Sequence, residues 1–180
     1  MARVLATSRP QRHVDISASG CFAAVASAFV PVEFCGPRPN PPKVPGARAR
    51  TIDVAELPFR DASIESVSCT GIVESLGVGL DGDALDADAD LKSIAELKRI
   101  LASDGSLLFV CPVGKPRTVP GSQRVYAFGQ VLDYFDGLDL EEFSLIPDRD
   151  VGEAILVNPD QRLADRQRHG LGCFWFRKPV

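Results

Sequence analysis

Residues 91–113 read LKSIAELKRILASDGSLLFVCPV, and the change of period inside this stretch decides the fold. Leu91, Ile94, Ala95, Leu97, Lys98 and Leu101 fall at i, i+3, i+4 spacing, with Lys92, Glu96 and Arg99 for a polar face, which predicts a helix. Asp88 and Asp90 precede it, where carboxylates favour the positive end of the helix dipole. Asp104-Gly105 predicts its stop, with Gly105 as the left-handed residue. Ser106 to Val113 then runs apolar without alternation, the pattern of a strand buried on both faces. A helix that feeds at once into such a strand is part of a βαβ unit.

The flanking segments repeat the theme. His13–Ile16 is a short strand, Phe22–Phe29 a helix, Pro31–Cys35 a second strand and Arg50–Val54 a third. Between the last two, residues 37–45 hold five prolines, which is loop chemistry because proline lacks the N–H a strand or helix would use. Ile64–Val73 is β-branched and reads as a buried strand. Tyr126–Phe135 predicts a helix and Leu138–Ile146 an alternating strand. Residues 147–170 are polar, with four arginines and no period, and Gly172–Arg177 is a last strand. Because only a loop joins the last two strands, an antiparallel hairpin is expected at one edge of an otherwise mostly parallel α/β sheet. The exposed edge at Gly172–Arg177 could pair two subunits as a homo-oligomer.

Length and composition narrow the classes. One hundred and eighty residues, 45% hydrophobic and 24% charged, make a single domain over 1–180, with 1–12 a flexible terminus. A chain of this length buries roughly 70% of its unfolded surface without help from disulfides. The net charge of −4 argues against a dedicated nucleic-acid binder. No stretch approaches the ~20 apolar residues of a membrane span, and residues 1–12 carry arginines but no long apolar run, so they do not read as a secretory signal. The five cysteines, at 21, 35, 69, 111 and 173, show no Cys-x-x-Cys pair and no neighbouring His. They read as small buried hydrophobes in a reducing, cytoplasmic compartment, not as a zinc site.

In sheets of this kind ligands bind beyond the carboxyl ends of the strands. The residues there are Asp15-Ile16-Ser17-Ala18-Ser19-Gly20, where small side chains let a ligand approach the backbone, then Asp53-Val54, and the segment from Cys69 and Thr70 to Glu74. With no His nearby, Glu74 and Asp83 are the candidate bases. Arg124 and Tyr126 are candidates for holding an anionic or sugar-like acceptor. The aspartates at 81, 83, 86, 88 and 90 do not make an EF-hand, since counting from Asp86 puts Leu91 and Leu97 at positions six and twelve. Gly114-Lys115 lacks the upstream glycine and following Ser/Thr of a phosphate loop.

Two segments in order carry a resemblance: Asp53-x-x-x-Leu57-Pro58-Phe59-x-Asp61-x-Ser63-Ile64-Glu65-x-Val67, then Glu96-Leu97-Lys98-Arg99-Ile100-Leu101-x-x-Asp104-Gly105 before an apolar strand. Together they resemble class I S-adenosylmethionine-dependent methyltransferases. A nearer likeness, over most of the chain, is to an uncharacterised bacterial methyltransferase-like domain family. It rests on His13–Ile16, Ser27–Val32, Arg38-Pro39, the segment 74–90 with Gly82-Asp83, Pro112–Gly114, Arg124–Tyr126 and Gly172–Phe176. The resemblance implies a Rossmann-like, mostly parallel seven-stranded sheet with one antiparallel strand near the edge and helices on both faces. It implies S-adenosylmethionine as cofactor, no metal, and a small-molecule or glycan acceptor such as a sugar precursor. Carried over by position, Asp15, Ser17, Ser19 and Gly20 would face the methionine part and Asp53 with Val54 the adenine. Cys69, Thr70 and Glu74 would border the methyl group. The superfamily's glycine-rich turn is here Ser17-Ala18-Ser19-Gly20, and Gly36 stands where an acidic residue is usual after the second strand. A catalytically degenerate binding or scaffold module is therefore the alternative.

Overall fold

The computed structural model describes residues 1–37, 44–80, 84–148 and 154–180. Part of the proline-rich loop, Arg38-Pro39 and Gly82-Asp83 lie outside the described residues. The main sheet is built from β1 (His13–Ser17), β2 (Val32–Gly36), β3 (Ala47–Thr51), β4 (Ile64–Thr70), β5 (Leu101–Val113), β8 (Asp139–Ile146), β9 (Leu156–Val157) and β10 (Gly170–Arg177). Their order is β3-β2-β1-β4-β5-β10-β8-β9. β1 to β5 run parallel, and β10 pairs antiparallel with both β5 and β8. A separate hairpin, β6 (Arg117–Val119) with β7 (Gln123–Val125), follows β5.

Helices cover both faces. Alternation along β5 sends Leu107 and Phe109 to the larger core, with Ile94, Leu97 and Ile100 of α3 (Ala89–Ile100) and Phe128 and Val131 of α4 (Phe128–Tyr134). Leu108 goes to the opposite face, with Val4 and Leu5 of α1 (Ala2–Ser8) and Ala23 and Ala26 of α2 (Cys21–Ala26). The last helix is α5 (Gln161–Asp165).

Several sequence expectations shift. The sheet has eight strands, because Leu156–Val157 adds to β8. Residues 2–8 form a helix whose Val4 and Leu5 are buried, where a flexible terminus was expected. The third strand is Ala47–Thr51, so Asp53 falls in the turn beyond it. The helix stops at Ile100, and strand pairing begins at Leu101, with Asp104 rather than Gly105 at positive φ (60°). β10 is an inner strand between β5 and β8, so its edges are already paired and offer no subunit contact. Cys21 is exposed, while Cys35, Cys69 and Cys111 are buried, and all five thiols are free.

β10 holds the far half together through aromatic packing. Phe174 meets Phe143 at 4.8 Å, Phe128 at 5.6 Å and Phe176 at 5.8 Å between ring centres, and Phe176 meets Phe135 at 4.8 Å. Gly172 lies on the same face, and a Cβ there would stand 2.6 Å from Val113 Cγ1 and 2.8 Å from the Phe174 ring. Phe174→Ala is expected to cost about 3–5 kcal/mol of unfolding free energy, measured by denaturant titration, because the surrounding rings cannot collapse into the space.

Candidate active site

The carboxyl ends of β1, β2, β3 and β4 meet. After β1 the chain turns through Ser17–Gly20, where Ala18 N donates to Thr70 O at 3.2 Å. Ser17 Oγ reaches Ser19 O at 3.1 Å, and Ser19 Oγ accepts from Cys21 N at 3.4 Å. Two glycines border this turn. A Cβ on Gly36 would stand 3.3 Å from Ser17 O, and Gly71, with φ +68°, has its Cβ position 3.6 Å from Ala18 Cβ. Gly36 O accepts from Ile52 N at 3.0 Å, which brings the turn after β3 alongside. In that turn the exposed Asp53 caps Ala55 N at 2.8 Å, and Val54 is buried in the core with its carbonyl accepting from Ser93 Oγ at 2.9 Å.

Ordinary parallel crossovers carry a helix, but residues 52–63 between β3 and β4 form a loop. Arg99 holds it. Its guanidinium donates to Leu57 O and Phe59 O, both at 2.9 Å, to Asp61 Oδ1 at 2.6 Å and to both carboxylate oxygens of Glu96, and Glu96 Oε2 also accepts from Leu57 N at 2.7 Å. The two sequence segments that carry the methyltransferase resemblance are therefore bonded to one another.

Asp15 does not face open space. Its Oδ1 accepts from Ser68 Oγ at 2.6 Å and its Oδ2 from Ser17 Oγ at 2.9 Å, and the residue is fully buried. Ser68 Oγ also lies 2.9 Å from His13 Nε2, while His13 Nδ1 lies 2.8 Å from Ser66 Oγ. Since Ser68 donates to the carboxylate, it accepts from Nε2–H, and Nδ1 accepts from Ser66. Burial pushes the Asp15 carboxyl up to about 6, against its bonds to Ser68 and Ser17, and pushes His13 down to about 4. Nothing in the sequence pattern distinguished His13, Ser66 and Ser68 from ordinary strand residues.

Glu74 sits in the short 3₁₀ turn Val73–Ser75 beyond β4. It is 7% exposed, its Oε2 has no hydrogen-bond partner, and burial raises its carboxyl to about 7. The Cys69 side chain points into the core, while Thr70 stays half-buried at the rim. Arg124 and Tyr126, expected to face an acceptor, have internal partners. The Arg124 guanidinium donates to the carbonyls of Leu76, Asp86 and Ala87, and its Nε lies 3.4 Å from Asp90 Oδ2. Tyr126 Oη donates to Asp90 Oδ2 at 3.0 Å. Asp90, read from sequence only as a helix-dipole acid, is buried with Oδ1 unpartnered, and it lines a cavity of about 430 Å³ with Arg124, Tyr126 and Tyr134. Asp83 lies outside the described residues. Among the described residues, no group of three or more His, Cys, Asp or Glu is placed to hold a metal ion, and no helix is long and apolar enough to cross a membrane.

No family model matches the chain, and no curated protein matches it. Solved structures do. YcgJ from Bacillus subtilis superposes with a TM-score of 0.66 at 14% identity, covering 99% of this chain and 98% of its own. The N-methyltransferase NodS from Bradyrhizobium japonicum, solved with S-adenosylhomocysteine, gives 0.66 at 14% identity, covering 99% and 84%. The Burkholderia thailandensis 1,6-didemethyltoxoflavin N1-methyltransferase, solved with 1,6-didemethyltoxoflavin and S-adenosylhomocysteine, gives 0.60 at 14%, covering 99% and 76%. The fold is that of the class I S-adenosylmethionine-dependent methyltransferases.

The buried pair fixes a pH signature. The folded protein keeps the Asp15 proton to about 6, against 3.8 for the unfolded chain, so this carboxyl's contribution is present below about pH 4 and is lost as pH rises to 6. His13 has the opposite sign, and its contribution is lost as pH falls from 6.5 to about 4. The stability of wild type relative to Asp15→Asn is therefore expected to fall by about 2 kcal/mol between pH 4 and 7. Denaturant titrations across that range check it, and a flat difference contradicts it.

Proposed function

We propose that this protein binds S-adenosylmethionine at the carboxyl ends of β1 to β4 and methylates a small molecule. The observation that carries the reading is the convergence of the Ser17–Gly20 turn, Gly36, the Asp53 turn and Thr70-Gly71 on one rim, in a strand order with β10 reversed between β5 and β8. Gly36 and Gly71 carry no side chain where they approach the Ser17–Gly20 turn, so a ligand at this rim would meet main chain rather than side chain. In this reading Ser19 and Gly20 take the methionine end through their backbone. Asp15 and Ser17 hold that turn in shape, Asp53 and the Val54 backbone meet the adenosine, and Thr70 with the Cys69 backbone borders the transferring methyl. Bound there, S-adenosylmethionine supplies an electrophilic methyl group on a sulfonium.

The residues of the chain then have two tasks, to align an acceptor and to take its proton. Glu74 is the base of this reading. A carboxyl with a proton affinity near neutrality suits general-base work at neutral pH, and its Oε2 has no competing partner. The toxoflavin enzyme, solved with 1,6-didemethyltoxoflavin, favours a small acceptor; a glycan or sugar precursor rests on the sequence resemblance alone.

Calorimetric titration with S-adenosylhomocysteine is expected to show one saturable site. Asp53→Ala should weaken it about fivefold or more with little change in thermal midpoint, since the side chain is exposed and makes one cap. No saturable heat at about 1 mM ligand, an affinity weaker than about 4 kcal/mol, overturns the reading in favour of a degenerate module. The Glu74 carboxyl, followed by its ¹³C shift, is expected to titrate near pH 7; a midpoint below 5 removes it as the base.

A further inference from the structure

We propose that the cavity between the end of β5, the β6–β7 hairpin and the turn from α5 into β10 binds a small oxyanion, the phosphate or carboxylate of a metabolite. The cavity measures about 760 Å³, and among the described residues Lys115, Arg117, Arg166 and Arg168 line it with one acid, Asp148. The chain as a whole is acidic, at −4, so four cations around one concavity are a local reversal of its charge. Asp148 Oδ2 is turned toward backbone, accepting from Arg168 N at 2.6 Å and His169 N at 3.0 Å. Arg117 is committed as a clip, donating to Lys115 O at 3.1 Å and Arg168 O at 2.7 Å. The side chains of Lys115, Arg166 and Arg168 are exposed, and no hydrogen bond or ion pair of theirs is found among the described residues. Cations that share one concavity favour an oxyanion, which they meet through charge-assisted hydrogen bonds.

The frame beneath them is rigid. Gln167 is 7% exposed and ties three segments: Nε2 donates to Leu163 O at 2.9 Å, Oε1 accepts from Asp148 N at 2.9 Å, and its carbonyl accepts from Lys115 N at 3.3 Å. Gly114 and Gly170 admit it, since a Cβ on Gly114 would stand 2.3 Å from Gln167 O and one on Gly170 2.7 Å from Gln167 Cγ. Arg166 and Arg168 flank this fixed residue, so the backbone that presents them is ordered before any ligand arrives. The cavity opens on the same carboxyl rim as Ser17 and Asp53. β5 and β10 stand two and three strands from β1, about 10 and 14 Å at ~4.8 Å per strand. An oxyanion there would anchor the far end of a methyl acceptor. That use rests on the methyltransferase reading; the binding of the anion does not.

The test is an amide NMR titration of the full chain with sodium phosphate and with sodium malonate, at ionic strength held constant with sodium chloride. Saturable shifts at residues 115, 117 and 166–168 are expected. In the double variant Arg166→Ala/Arg168→Ala the dissociation constant should rise about tenfold or more, with the thermal midpoint unchanged because both side chains are exposed. The tighter of the two anions names the group recognised. Shifts that do not saturate, or that saturate equally in the variant, overturn the proposal. Titration of the same two proteins with S-adenosylhomocysteine separates the readings. Cofactor binding retained in the variant while the anion is lost supports a distinct anchoring site, and phosphate binding without cofactor binding in wild type removes the methyltransferase reading and leaves the anion site standing.

Discussion

The chain of bonds Ser66–His13–Ser68–Asp15–Ser17 is the constraint on which the arrangement of the central strands depends. Each of these side chains is buried, and each hydrogen bond crosses between β1 and β4 or runs along β1. A buried carboxyl or imidazole without partners is costly, so the native pairing of Asp15 with Ser68 and of Val14 with Val67 is favoured against every neighbour. A slip of one residue would swing Asp15 and His13 to the apolar face against Val67 and Leu107. The network thus selects a register where an all-aliphatic pair of parallel strands would tolerate several. It also shapes the turn that follows, because Ser17 is bonded to Asp15 on one side and to Ser19 O on the other.

The second constraint acts on the opposite face. With no helix between β3 and β4, the loop 52–63 would be free to move, and with it Asp53. Arg99 and Glu96 substitute side-chain bonds for the missing helix, and Ser93 adds one to Val54 O. These residues sit on successive turns of α3, the helix whose other positions, Ile94, Leu97 and Ile100, fill the core. One helix therefore both packs against β4 and β5 and positions the turn after β3. Arg124 does the same work further along by gathering the carbonyls of Leu76, Asp86 and Ala87.

What could be read in the chain follows from which forces leave a periodic trace. The helix at 91–100 and the strand at 106–113 were legible because burial on one stripe, or on both faces, repeats in the sequence. The parallel sheet and its antiparallel end were legible from the alternation of strands and helices and from the loop before the last strand, while the methyltransferase fold itself was legible only through the paired Leu57-Pro58-Phe59 and Glu96-Leu97-Lys98-Arg99 segments, which Arg99 bonds together. The start of β3 was missed because Ala47–Thr51 is exposed at most positions and shows no apolar period. The helix at 2–8 was missed because only Val4 and Leu5 are buried there. The β6–β7 hairpin and α5 are short, and their residues are fixed by bonds to distant segments, such as Gly121 N to Val78 O at 2.7 Å and Phe128 N to Asp165 at 2.8 Å. The Asp15 environment was invisible for a like reason, since serines two residues apart on a strand look the same whether they meet water or a carboxylate.

The candidate site residues divide by whether their hydrogen-bonding capacity is already taken. Asp15, Ser17, Arg124 and Tyr126 carry suitable chemistry for a ligand, yet their polar atoms are engaged within the protein, so their effect on a ligand must run through the backbone they hold. The capacity left over lies elsewhere along the rim: the exposed Asp53 after β3, Glu74 Oε2 after β4, Asp90 Oδ1 at the start of α3, and the cations after β5 and before β10. Read in strand order, this is a row that begins with carboxylates and ends with arginines and a lysine. A ligand lying along it would meet acceptor groups at one end and positive charge at the other. Such a gradient would orient a molecule end to end without any single strong contact, and the bonds of Arg99 to the loop after Asp53 and of Gln167 beneath the cations hold both ends of the row.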